Sequence, residues 1–402
     1  MDSPHAAENP PPVRHSLIRE GIETLEDSPI VEVWRMGYGR QDVIGMFAGE
    51  PDVPTPAFIR DAAAQALAAG KTFYTPNRGI PAMGEALSEY LARTYSVAVP
   101  PSRIALTQSG MEAVMLIAQA TVALGDNVIA VTPSWPNIMR AMQICGATIR
   151  EVPMTAGTAG WTLDLAAVEA ACDERTRVIY LASPGNPTGW MIGREQAQAL
   201  LAIARARNIA ILADEVYHRT VYDRAVAFSF LEIATPTDPV FVVNSFSKAW
   251  AMTGWRLGWI VYPEGTTDAF EKLIQFNTSG APEFLQHGAI TALRQGEKFV
   301  AEFAARCGEG RAVVNQRLAA MPRITNTPSA GAFYAMFTVD GVTDTLTFCK
   351  RAVTEAGIGM APGTAFGTGA ERHVRLCYAK SPALLHEAMD RLARFTQGYC
   401  EP

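Results

Sequence analysis

Between about residue 100 and residue 265, short β-branched, apolar runs alternate with longer stretches whose apolar positions recur at helical spacing. The runs are RIALTQ, NVIAVTP, ATIREVP, TRVIYLASP, IAILADEVY, FVVNSFS and RLGWIVYP, and each predicts a strand. Stretches between them, such as GMEAVMLIAQATVAL and REQAQALLAIARARN, have the periodicity of amphipathic helices. This alternation predicts an α/β fold with a mostly parallel, seven-stranded sheet flanked by helices. From about residue 296 the pattern changes to a helical segment, strands in AGAFYAMFTV and HVRLCYA, and a last helix near ALLHEAMDRLARF. The expected organisation is therefore a large domain over 51–295 and a smaller α+β domain over 296–402. Residues 16–50 are expected to join the smaller domain, and the Pro-rich residues 1–15 to form a flexible tail.

In open parallel sheets, ligands sit beyond the carboxyl ends of the strands. Just past the predicted ends lie Ser109 and Gly110, Trp135, Asn186, Asp214, Tyr217, Ser245 and Lys248. Composition narrows what such a site holds. A net charge of -6, with no basic stripe carrying interleaved aromatics, argues against nucleic acid as a partner. No apolar run is long enough to span a membrane, and the first residues lack the apolar core of a signal peptide, so a cytoplasmic protein is expected. The six cysteines (Cys145, Cys172, Cys307, Cys349, Cys377 and Cys400) show neither a CxxC pair nor ligand spacing with histidine, so no metal site or disulfide framework is expected.

Taken singly, each residue beyond the strand ends has an ordinary structural reading: a helix cap for Ser109 and Asp214, core filling for Trp135 and Tyr217, a surface ion pair for Arg256. His218 is read as structural. Together they describe chemistry. A helix opening at Ser109 and Gly110 offers free N–H groups to an anion, and Arg256 adds a planar cation suited to phosphate. The ring of Trp135 can stack on a flat ligand, and a buried Asp214 calls for a cationic partner such as a protonated ring nitrogen. Lys248 directly follows an apolar strand, where partial desolvation lowers an amine's pKa and readies it to react with an aldehyde. Pyridoxal 5′-phosphate combines an aldehyde, a phosphate and a ring nitrogen in one molecule.

The chain resembles the fold type I, class I/II aminotransferases that use pyridoxal 5′-phosphate, the group that includes aspartate and aromatic aminotransferases. The resemblance runs from about residue 28 to 395 and rests on GEPDVPTP (49–56), YTPNRGIP (74–81), TQSGMEAV (107–114), SWPN (134–137), NPTG (186–189), DEVY (214–217), SFSK (245–248), GWRLG (254–258), PGTAFG (362–367) and VRL (374–376). It implies that Lys248 holds the cofactor's aldehyde and shuttles the proton, while Asp214 pairs with the ring nitrogen. Tyr217 and Asn186 are implied to bond the phenolic oxygen, and Trp135 to stack on the ring. Ser245, Arg256, Ser109 and the amides of Gly110 and Met111 would hold the phosphate. Arg375 would clamp the substrate α-carboxylate, helped by Asn186 and the backbone at Gly49. Tyr74 would reach the phosphate of a neighbouring subunit, which implies a homodimer with shared active sites.

The implied reaction moves an amino group from an α-amino acid to a 2-keto acid such as 2-oxoglutarate. Some relatives that use aspartate carry a lysine where this chain has Met111, and others an arginine in the segment matching FNTSGAP, where this chain has none. A neutral, apolar or aromatic donor is therefore expected, with aspartate as the alternative, since Arg35 and Arg40 remain near the N-terminus. A carbon–sulfur β-lyase would use the same residues. SFSK also fits the SxxK motif of acyl-serine enzymes, but SDN is absent and the KTF at 71–73 fails to complete KTG. A regulatory, cofactor-binding relative would carry a DNA-binding domain ahead of this fold, for which the Pro-rich N-terminus leaves no room. FGTGAERH lacks the strand-to-helix context of a dinucleotide site.

Overall fold

All seven apolar runs between residues 100 and 265 form strands of one sheet in the computed structural model, which describes residues 16–401. The expected tail over 1–15 lies outside the described residues. The strands are β1 (Ile104–Thr107), β2 (Asn127–Thr132), β3 (Thr148–Pro153), β4 (Thr176–Ala182), β5 (Ala210–Asp214), β6 (Val240–Ser245) and β7 (Gly258–Val261). Their order across the sheet is β1-β7-β6-β5-β4-β2-β3. Every neighbouring pair is parallel except the two made by β7, which runs antiparallel to both β1 and β6. That reversal matters for the site, because it brings the start of β7 to the edge where the other strands end.

The near-continuous apolar runs follow from burial on both faces. In a strand, successive side chains point to opposite sides. Ile129 and Val131 of β2 accordingly pack into one buried cluster, while Val128 and Ala130 pack into another on the opposite face. The helix α1 (Pro29–Gly37) precedes the sheet in the chain; α2 (Gly110–Thr121) and α3 (Pro136–Ile144) follow β1 and β2, and α4 (Arg194–Arg207) follows β4.

After the long helix α5 (Glu297–Ala319), a second sheet forms from β8 (Ile324–Thr327), β9 (Tyr334–Val339), β10 (Ala361–Pro362) and β11 (His373–Cys377), in the order β8-β9-β11-β10 and wholly antiparallel. The apolar pattern predicts β9 and β11; the half-exposed β8 and the two-residue β10 carry too little periodicity to be read. The last helix, α6, spans Pro382–Gly398. Residues Ile44–Gly45 pair in parallel with Ile358–Gly359, and Val33, Met46 and Phe47 share a buried cluster with Phe337, Leu376 and Leu392. The N-terminal segment thus completes the core of the C-terminal part.

Candidate active site

The strand ends converge on one cavity of about 270 Å³. Of the expected site residues, Gly49, Gly110, Met111, Trp135, Asn186, Asp214, Tyr217, Ser245, Lys248, Arg256 and Arg375 line it. Two stand apart. Ser109 is buried, and its hydroxyl caps α2 by accepting from the Glu112 N–H at 3.0 Å, so on this wall the cavity meets Gly110 and Met111 instead. Tyr74 is 95% exposed and lines a separate surface hollow with Gln108 and residues 278–282.

Lys248 gains its position from the sequence around it. From Val240 to Met252 every other residue is buried, and only Lys248 keeps part of its surface open. Strand β6 ends at Ser245, whose hydroxyl accepts from the Ser247 N–H at 3.1 Å and so turns the chain into the short helix Phe246–Ala249. Phe246 and Ala249 anchor that turn in the core while Lys248 points into the cavity. Its Nζ donates to the Gly49 carbonyl at 2.7 Å. Burial lowers the amine to a pKa of about 8, so it releases its proton far more readily than an exposed lysine.

Asp214 closes β5 and is buried; among the described residues its carboxylate has one hydrogen bond, accepted from the Val216 N–H at 3.2 Å. Burial pushes its carboxyl up to about 6, against a smaller opposing pull from the Lys248 charge. A carboxylate in that state is stabilised by any cation brought into the cavity. Three residues on, Tyr217 places its hydroxyl 2.6 Å from the hydroxyl of Tyr334.

The opposite wall comes from the C-terminal sheet. Arg375 on β11 is buried; its guanidinium donates to Asn186 Oδ1 at 2.9 Å and to the Phe47 carbonyl, and lies over the rings of Tyr334 and Phe366 at 4.6 and 4.9 Å. Its Nε has no partner among the described residues. Each terminal nitrogen makes one of these bonds and carries a second N–H, so the guanidinium retains donors beyond the two bonds it makes.

At the sheet edge, Arg256 follows the 3-10 turn Thr253–Trp255 and stands two residues before β7, with φ of 52° and a hydrogen bond to the Thr253 carbonyl at 2.9 Å. Gly258, which opens β7, lies against the start of α2: a Cβ there would sit 2.5 Å from the Gly110 nitrogen. Only glycine allows β7 and the helix N-terminus to approach this closely. Gly110, Met111, Ser245 and Arg256 line the same cavity as Asp214 and Lys248. A phosphate, a protonated ring nitrogen and an aldehyde on one planar molecule match these donors and acceptors. The buried acid at Asp214, which has no ion-pair partner among the described residues, is the observation that fits the ring nitrogen.

Sequence reasoning does not single out Ile30, Phe47, Ala48, Val216, Val243, Ser247 or Tyr334, all of which line the cavity. Tyr334 had a readable signal, since a hydroxyl within the apolar run AGAFYAMFTV needs a partner once buried. The others are apolar or small residues that nothing but their neighbours distinguishes.

Comparison with known proteins agrees with this geometry. Residues 41–392 match the family model for aminotransferases of class I and II. An aspartate aminotransferase of Pyrococcus horikoshii is 33% identical over 96% of this chain and 98% of its own length, and an aspartate/prephenate aminotransferase of Thermus thermophilus is 32% identical over 95% and 97%. Among solved structures, the Thermus thermophilus aspartate aminotransferase with maleate superposes with a TM-score of 0.87 at 32% identity, covering 94% of this chain and 99% of that one. An alanine aminotransferase from Pyrococcus furiosus gives 0.89 at 25% identity, covering 95% and 100%. Fold, site chemistry and similarity across nearly the whole length agree: the chain belongs to the class I and II aminotransferases, enzymes that depend on pyridoxal 5′-phosphate.

Proposed function

We propose that this aminotransferase takes its amino group from α-amino acids with apolar or aromatic side chains and passes it to a 2-keto acid such as 2-oxoglutarate. The observation that carries the donor class is the cavity lining: Ile30, Phe47, Met111 and Trp135 are apolar, and the cations are Lys248, Arg256 and Arg375. Each of those cations has a task in this reading. A second carboxylate on the substrate would lack a fourth.

In the proposed division of labour, Arg375 binds the substrate α-carboxylate through its free donors, with Asn186 holding the guanidinium in place and the Gly49 backbone beside it. When bound, the cofactor supplies an aldehyde to accept the amino group and a ring that withdraws electrons from the α-carbon. Asp214 keeps the ring nitrogen protonated. Lys248 Nζ removes the proton from the substrate α-carbon, a role suited to an amine whose pKa lies near the working pH. Tyr217 and Asn186 serve the ring oxygen, Trp135 covers the ring face, and Ser245, Arg256 and the amides of Gly110 and Met111 hold the phosphate. Tyr74 is assigned to a partner's site in a homodimer, with Ser109 acting through its cap on α2. The exposure of both Phe73 and Tyr74, two large aromatic side chains, supports a partner surface. Residues 16–50 and 296–402 are read as a smaller unit that closes over a larger one of residues 51–295, which the pairing of Ile44–Gly45 with Ile358–Gly359 supports. A cytoplasmic location completes the reading, in keeping with cysteines that are all free.

A second reading, aspartate as donor, is favoured by the names of the relatives reported above. Single amino acids added to the purified holoenzyme without a keto acid separate the two. Loss of the visible cofactor band with phenylalanine, leucine or methionine is the expected result. Bleaching by aspartate alone gives the site to the second reading. Pyruvate and ammonia accumulating from a sulfur amino acid, with the band intact, would mark a carbon–sulfur β-lyase instead.

A further inference from the structure

Tyr334 touches three separate parts of the cavity wall. Its hydroxyl lies 2.6 Å from that of Tyr217, a residue 117 positions away on the other sheet's edge. Its ring lies beneath the Arg375 guanidinium, 4.6 Å from centroid to Cζ. Its hydroxyl also presses so closely on Gly49 that a Cβ there would stand 1.8 Å from it, and the Gly49 carbonyl is the acceptor for Lys248 Nζ. Tyr334 is 1% exposed and Tyr217 3%, so water does not compete freely for this pair.

Each phenol carries one proton, and a phenol pair shares one hydrogen bond in one of two directions. If Tyr217 donates to Tyr334, its proton is spent inside the wall. If Tyr334 donates, the Tyr217 proton is released toward the cavity. An anionic ring oxygen in the cavity selects the second direction, because the chain of two aligned hydroxyls then ends on the negative charge. Resting on the cofactor assignment above, we propose that Tyr334 is a positioning residue of the reaction: it turns the Tyr217 proton toward the cofactor's ring oxygen. The ring of Tyr334 has a second, separable task, supporting the face of Arg375.

The experiment uses holoenzyme of the wild type, Tyr334→Phe, Tyr217→Phe and the double variant, with the pH midpoint of the bound cofactor's visible band as readout. Colour in all four tests the cofactor assignment by itself. In Tyr334→Phe the midpoint is expected to rise by about two to four tenths of a unit, because Tyr217 keeps its bond to the ring oxygen and loses only the strengthening that the Tyr334 donor gives it. kcat should fall roughly three- to tenfold while KM for the amino donor holds, since phenylalanine keeps the ring. In the Tyr217→Phe background, adding Tyr334→Phe should leave the midpoint where it is. An unchanged midpoint in the single variant, or an equal rise in both backgrounds, overturns the proposal. Tyr334→Leu, which removes the ring, should raise KM as well; a KM equal to that of Tyr334→Phe would remove the Arg375 part.

Discussion

Asp214 and Glu215 are adjacent carboxyls with opposite surroundings. Asp214 opens to the cavity, whereas Glu215 turns into the core, where one oxygen accepts from the Phe230 N–H at 2.9 Å and the other has no partner among the described residues. Burial pushes Glu215 up to about 8 from an ordinary 4.5. The folded protein therefore holds a proton that the unfolded chain has released between those two pH values. Its contribution to stability is fully present below about 4.5, declines as pH rises toward 8, and is then gone, with a steepest slope of about 1.4 kcal/mol per pH unit. Buried His218, held down to about 3 by desolvation, contributes in the opposite sense at lower pH, so the comparison needed is between variants. Urea unfolding across pH 5 to 9 should show wild type losing stability relative to Glu215→Gln as pH rises. Parallel curves would mean that Glu215 is ionised in the fold. At this scale the motif residues were legible because their types are unusual at strand ends. Phe47, Ile30 and Tyr334 were not, because an apolar or aromatic residue becomes a site residue only through what lies across from it.

Between elements, the decisive contact is β7 against α2. The register sets Gly258 opposite both Thr107 and Ser245, the residues from which the chain leaves β1 and β6. The Gly258→Ala methyl would meet the Gly110 nitrogen at 2.5 Å, the Ser109 carbonyl carbon at 2.7 Å and the Asn244 carbonyl oxygen at 2.8 Å. All three are backbone atoms, so the strain of roughly 1 to 3 kcal/mol cannot be relieved by a rotamer change. The helix N-terminus must move, and with it the Gly110 and Met111 amides proposed to hold the phosphate. Cofactor titration of Gly258→Ala, followed by the visible band, is expected to give a Kd raised about tenfold or more. Unchanged affinity would show that those amides do little of the holding. Ser109 belongs to the same junction: its cap on Glu112, answered by the Glu112 carboxylate on the Gln108 N–H, pins the helix start. Ser109 Oγ accepts from the Glu112 N–H and keeps its own O–H as a donor, so capping and ligand binding are compatible at this residue.

For the whole molecule, the cavity lies where two sheets meet, with Lys248 and Asp214 supplied by one and Arg375 and Tyr334 by the other. Tyr74 is far too exposed to serve the cavity of its own chain. In the proposed homodimer it completes the partner's phosphate site, so assembly and cofactor retention are linked. Sedimentation of the holoenzyme should give twice the 43.4 kDa chain mass. Tyr74→Phe should keep that mass while losing cofactor several-fold more readily on dilution. A monomer that retains cofactor fully would sink this assignment.

By itself the sequence determined the alternation that specifies a helix-flanked sheet, because two-sided burial leaves near-continuous apolar runs that no other element produces at that spacing. It also determined which polar side chains sit where those runs end, and so the chemistry available at the ligand edge. Three things were decided only by tertiary structure. The reversal of β7 brings Arg256 and Gly258 to the same edge as the ends of parallel strands, and strand direction is a property of pairing, which apolar periodicity does not encode. The hydroxyl pair of Tyr217 and Tyr334 joins the turn that follows β5 to strand β9 of the other sheet, and only the folded chain makes them neighbours. The pKa values of Lys248, Asp214 and Glu215 arise from desolvation, which depends on everything packed around each group and on no motif of its own.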